Sequence, residues 1–137
     1  MSPVSYTFVR DERLKNQTMI GQLFKGGHSY LAWPIRVVWR HYPAHYTRLP
    51  NARIQVAISA PKKQFKTAVA RNRIKRMVRE AWRLHKHELY QRLPPDSPPV
   101  ALMLMYIAKE EVSFQEIETG VRKLIRKWPG DDQKKKQ

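Results

Sequence analysis

Apolar positions follow several distinct rhythms along the chain. Ile35-Arg-Val-Val-Trp-Arg40 is rich in β-branched and aromatic residues behind Pro34 and predicts a strand. Arg53–Ser59 alternates with period two, which predicts a second strand with Ile54, Val56 and Ile58 inward. Val100–Ala108 is apolar throughout, the pattern of a third strand buried on both faces. From about Thr67 to about Leu89 the apolar spacing turns to three and four, predicting a long helix. Phe114–Trp128 predicts another, with Ile117, Val121, Leu124, Ile125 and Trp128 in one stripe and a capping box from Ser113 and Glu116. A shorter helix is expected over Gln17–Lys25, capped by Asn16, with Ile20, Leu23 and Phe24 on one face. Gly26-Gly27 is expected to end it by supplying a residue that tolerates φ > 0.

His41–Asn51 reads as a loop, and Pro94-Pro95 with Pro98-Pro99 brackets a stiff connector. Asp131–Gln137 lacks apolar residues and is expected to be a disordered basic tail. Strand, long helix, strand makes a β-α-β unit. The predicted fold is an α/β (α+β) sandwich, a small central sheet with covering helices, in one domain over residues 1–130.

Charge changes the picture. The 137 residues carry 27 Lys and Arg against 11 Asp and Glu, a net +16. Such a body repels itself unless a polyanion neutralises it, so nucleic acid leads among partner classes. With no cysteine, a disulfide scaffold and a cysteine-ligated zinc module are both excluded. The N-terminus lacks a basic stretch followed by an apolar core, and the longest apolar run, nine residues at 100–108, falls short of the roughly 20 a spanning helix needs. A cytoplasmic protein with no membrane partner is expected.

The surplus is uneven. Residues 1–52 carry +5 and residues 93–137 carry +1, whereas residues 53–92, with 12 basic and 2 acidic residues, carry +10. A solubilising charge would be diffuse; a binding face concentrates. At about 100° per residue, Met77, Val78, Ala81 and Trp82 fall within about 80° of Ile74. Lys75, Arg76, Arg79, Arg83 and Lys86 fall between about 100° and 200°. One face of the long helix is thus apolar and another almost purely cationic, interrupted only by Glu80. Like charges at this spacing repel, which makes sense when phosphates neutralise them. Arg71 and Arg73 offer planar forks for phosphate near the helix start, Asn72 can bond a base edge or a 2′-hydroxyl, and Lys62-Lys63 adds charge on the approach. A solvated face or a membrane-surface helix are the competing readings of this pattern, and both fit its one-sidedness less well.

No self-sufficient active site is legible. A phosphate-binding G-x-x-x-x-G-K-[ST] loop is absent. His41 and His45 have ligand-like spacing, but Pro43 separates them. His85 and His87 diverge on a helix. Glu110-Glu111 read as first-turn acids of the last helix. Tyr42, Tyr46 and Tyr90 are able either to stack on bases or to pack.

Arg71-Asn-Arg-Ile-Lys-Arg-Met-Val-Arg-Glu80 closely resembles the R-N-R-x-K-R-x-x-R-E signature of the bacterial ribonuclease P protein component. Ser59-Ala-Pro-Lys-Lys63 is similar to the family's S-x-x-K-K turn, and Arg13-Leu-Lys15 and Phe24-Lys-Gly-Gly27 resemble its N-terminal elements. The likeness covers about residues 10–128. It implies a protein subunit that assists a catalytic RNA in magnesium-dependent removal of the 5′ leader from precursor tRNA. The magnesium would be held mainly by the RNA subunit and substrate, with no small-molecule cofactor. It further implies that Arg71, Asn72, Arg73, Lys75, Arg76 and Arg79 contact the RNA subunit. A cleft between the first helix and the sheet would hold the leader, lined here by Ile20, Leu23, Phe24, Tyr30 and Val38. The family's β-α-β crossover is left-handed, against the general right-handed rule. The chain departs from the pattern at Pro61, in one extra residue before Arg71, and at Ile20, where family members often have Phe. Base stacking, worth about 1–3 kcal/mol per base, would then fall to Phe24 and Tyr30. The alternatives are a non-catalytic structured-RNA-binding protein of ribosomal or assembly type, and a nucleoid-type DNA binder.

Overall fold

In a computed structural model, residues 8, 10–43 and 51–129 are described. The expected basic tail, His45 and Tyr46 lie outside them. Four strands form one sheet: β1 (His28–Ala32), β2 (Ile35–His41), β3 (Ile54–Ser59) and β4 (Val100–Tyr106), in the order β1-β2-β4-β3. Three helices cover it: α1 (Gln17–Gly26), α2 (Ala68–Arg92) and α3 (Phe114–Arg126).

β1 was not among the predicted strands. His28-Ser-Tyr-Leu-Ala has no β-branched residue and follows two glycines, so its local propensity is weak. Antiparallel pairing with β2 makes it a strand, in register from His28↔Trp39 to Ala32↔Ile35, with Trp33-Pro34 as the turn. β2 then pairs antiparallel with β4, and β3 pairs parallel with β4 through the α2 crossover. β4 is central, and its continuous apolar run is explained by two covered faces.

The two faces hold separate cores. Val100, Leu102, Leu104 and Tyr106 of β4 point toward α2 and α3, where they meet Ile74, Val78, Ala81, Trp82, Ile117, Val121, Leu124 and Ile125. Ala101 and Met103 point the other way, against Met19 and Leu23 of α1, joined by Val38, Leu14 and Tyr42. The expected stripe on α1 is therefore rotated: Met19 and Leu23 are buried, Ile20 is half-buried and Phe24 is exposed.

Two helix starts follow the predicted caps, at Asn16 and Ser113, and Thr67 caps the third. Asn16 accepts from Met19 N at 3.1 Å. Thr67 Oγ1 accepts from Ala70 N at 3.2 Å. Ser113 and Glu116 complete the capping box on α3. The end of α1 differs from expectation, because Gly27 is extended (φ −81°, ψ 160°) rather than left-handed. Its requirement is space: a Cβ there would lie 2.3 Å from the Leu23 carbonyl oxygen. Gly120 plays the same part where α3 crosses the β1–β2 turn. A Cβ at Gly120 would lie 2.7 Å from Pro34 Cδ and 2.9 Å from the Trp33 carbonyl oxygen. Gly120→Ala should therefore destabilise the protein by about 1–3 kcal/mol despite alanine's better helix propensity. Thermal melting checks this; an unchanged or raised midpoint would show that the turn yields freely.

The N-terminal segment closes the structure. Arg10–Glu12 forms a 3-10 turn, Leu14 N donates to Val56 O at 2.9 Å, and Gln55 Nε2 donates to Asp11 O at 2.7 Å. This places the Glu12 carboxylate over α2. Lys86 Nζ donates to both its oxygens, at 2.6 and 2.7 Å, and the Tyr90 hydroxyl donates at 2.6 Å. Lys86 is only 3% exposed, so it leaves the cationic face on which its helical phase would put it. Among the described residues, no helix is long and apolar enough to cross a membrane.

Candidate nucleic-acid interface

The turn between β3 and α2 presents its lysines by burying what lies beside them. Phe65 is buried and tilted against Tyr106, with ring centroids 5.7 Å apart. Phe65 N donates to Pro61 O at 3.0 Å, and Gln64 Nε2 donates to Lys109 O at 2.9 Å. Lys62 and Lys63 are left exposed on a braced loop, beside the positive end of α2.

Along α2 the cations divide into held and free. Arg71 turns back, and its Nη1 donates to Phe65 O at 2.7 Å, so it braces the lysine turn. Arg73 forks onto Glu111 with two 2.7 Å bonds. The hydrogen bond from Arg73 holds the Glu111 carboxyl below its usual range. Arg83 forks onto Glu80 at 3.0 and 2.6 Å, which lowers the Glu80 carboxyl likewise. No side-chain hydrogen bond or ion pair within the described residues holds Lys75, Arg76 or Arg79, and Arg76, Arg79 and Asn72 are exposed. The face available to a polyanion is thus Lys62, Lys63, Asn72, Lys75, Arg76 and Arg79. Arg73 and Arg83 are preset in orientation by carboxylates.

Glu111 lies before α3 rather than in its first turn. Its pairing with Arg73 spans 38 residues and leaves no periodic trace in the sequence. The described histidines do not gather into one site. His41 Nδ1 lies 3.1 Å from Pro98 O, and His85 Nε2 lies 2.8 Å from Glu118 on α3. Among the described residues, no three His, Asp or Glu side chains gather as a group able to hold a metal ion.

The α1 side of the sheet forms the second feature. Leu23 and Val38 are buried and make its floor, while Ile20 and Phe24, the latter 57% exposed, stand at its rim. Tyr30 belongs to the opposite face. It pairs with Val37 rather than Val38, lies in the α2–α3 core, and donates its hydroxyl to Leu124 O at 2.7 Å. Burial pushes its phenol well above the usual range. Strand alternation forbids Tyr30 and Val38 from sharing a face, a constraint visible only once β1 is recognised. The residues actually beside the floor are Leu31, Arg36, Met105 and Ser59, one cross-strand row from β1 to the end of β3.

A model of the Ribonuclease P family matches residues 8–128 of the chain. The ribonuclease P protein component of Porphyromonas gingivalis is 35% identical over 126 residues, covering 91% of this chain and 89% of that one. Its counterpart from Vibrio cholerae is 36% identical over 85 residues, 62% of this chain and 66% of the relative. Among solved structures, the RNase P protein from Thermotoga maritima superposes with a TM-score of 0.63 at 23% identity, over 87% of this chain and 99% of that one. The Staphylococcus aureus RNase P protein gives 0.59 at 21%, over 84% and 93%. At these identities the structures show that the fold is shared.

Proposed function

The chain belongs to the ribonuclease P protein family, and we propose that its α2 face binds the catalytic RNA subunit while its α1 side holds the 5′ leader of precursor tRNA. The observation that carries this reading is the free cationic set Lys62, Lys63, Lys75, Arg76 and Arg79. It stands on one helix face and its approach turn, backed by a helix face anchored in the core. Such a set neutralises closely spaced phosphates and releases their counterions, which favours a folded RNA bound to its substrate.

The division of labour follows from the donor groups. In this reading magnesium would be held mainly by the RNA subunit and the substrate, where it would supply the activated water and charge neutralisation for leader cleavage. The protein's part is positional. Asn72 offers hydrogen bonds to a base edge or a 2′-hydroxyl, and the exposed Phe24 ring offers a stacking surface at the rim of the leader cleft. The cytoplasm, where precursor tRNA is found, is the corresponding compartment.

Phe24→Ala tests the leader assignment. In the reconstituted holoenzyme it should reduce affinity for leader-bearing precursor about 5- to 100-fold, the loss of one stacked base, and spare mature tRNA. Equal loss on both RNAs would place the leader elsewhere.

A further inference from the structure

Arg36 stands in the middle of the row that crosses the uncovered part of the α1 side. Leu31 is its register partner on β1 and Met105 its partner on β4; Ser59 on β3 continues the row toward the Lys62-Lys63 turn. Leu31 is 43% exposed, and Met105 and Arg36 are half-buried. The next row toward α1, Val38 and Met103, is sealed. Arg36 is thus the cation of an otherwise neutral stretch of open sheet.

Its guanidinium is unusual among the half-buried arginines, since Arg40 and Arg53 donate to backbone carbonyls. Arg71, Arg73 and Arg83 are each held by a carbonyl or carboxylate. No hydrogen bond or ion pair within the described residues holds the Arg36 side chain, and its Nη1 is buried without a partner. A half-buried guanidinium with an unpartnered donor is costly, and turning its fork outward onto an acceptor in the cleft relieves that cost. The flanks decide which acceptor fits. A phosphate keeps its hydration poorly between a leucine and a methionine, whereas a nucleobase gains by laying its faces on apolar side chains. Of the four bases, guanine offers two adjacent acceptors, O6 and N7, that match the guanidinium fork.

We propose that Arg36 reads guanine at one position of the leader, with Leu31 and Met105 against the base. This rests on the reading that the α1 side holds the leader, and it adds a sequence preference to that site.

The test is competitive cleavage of a precursor-tRNA pool with a randomised leader by the reconstituted holoenzyme. A matched substrate with a one-nucleotide leader runs alongside. The expected result is a roughly tenfold enrichment of guanine at one leader position among cleaved molecules. Arg36→Met, which keeps the apolar stem, should abolish the enrichment. Arg36→Lys, which keeps the charge but not the fork, should weaken it strongly. A uniform pool, an enrichment that survives Arg36→Met, or an equal slowing of all leaders by Arg36→Met would overturn the assignment, the last marking a phosphate contact. The short leader separates the two levels. If truncation weakens substrate use but no guanine preference appears, Arg36 alone is wrongly assigned. If truncation changes nothing, the leader cleft itself falls, and this proposal with it.

Discussion

Replacing Arg76 and Arg79 together by alanine is expected to weaken binding of the catalytic RNA by about a hundredfold at physiological salt. Both side chains are exposed, and neither is held by a hydrogen bond or ion pair within the described residues. Their loss therefore removes phosphate contacts without unsettling the fold. A charge-assisted hydrogen bond contributes about 1.5–3 kcal/mol, so two of them account for the factor. The plot of log affinity against log salt should also flatten by about 1.4–1.8, the counterions two phosphates release. The corresponding change at Arg73 and Arg83 should cost less. Each must first be taken from Glu111 or Glu80, so binding exchanges one charge-assisted pair for another. Filter-binding titrations across a salt series check both statements, and an unchanged slope for the Arg76/Arg79 variant would remove those residues from the interface.

The second large effect is on stability. Glu12→Ala should cost about 3–5 kcal/mol, because it removes the carboxylate to which both the buried Lys86 ammonium and the Tyr90 hydroxyl donate. For a chain of this size that lowers the melting midpoint by on the order of 10–15 °C. Adding Lys86→Met to the same protein should recover most of the loss, since the buried charge goes with its partner. If Glu12→Ala melts like the parent, the clasp contributes nothing. If the double variant is no better than the single, packing rather than charge explains the effect.

How much of this was legible beforehand depended on whether a residue's environment was local. Val100–Tyr106 declared its two-sided burial by composition, and Asn16 and Ser113 declared helix starts because a cap acts within three residues. The cationic α2 face was legible for the same reason, since helical phase is a local property. What was missed depends on contacts between distant segments. β1 exists because β2 pairs with it, and without β1 the alternation that sends Tyr30 to the α3 side had no frame. Lys86 has the phase of its cationic neighbours, but Glu12, 74 residues away, draws it inside. Glu111 likewise meets Arg73 across the fold. Arg36 looked like one more charge in a strand until register put it between Leu31 and Met105.

On the proposed function, this cationic face serves another molecule's chemistry. Cleavage of precursor tRNA by a bacterial ribonuclease P RNA, with and without the protein at near-physiological magnesium, tests it most directly. A marked rise in leader removal on adding the protein, diminished by the Arg76/Arg79 variant, is the predicted result. RNA binding with no gain in cleavage would contradict the account and make the chain a structured-RNA-binding protein of another kind.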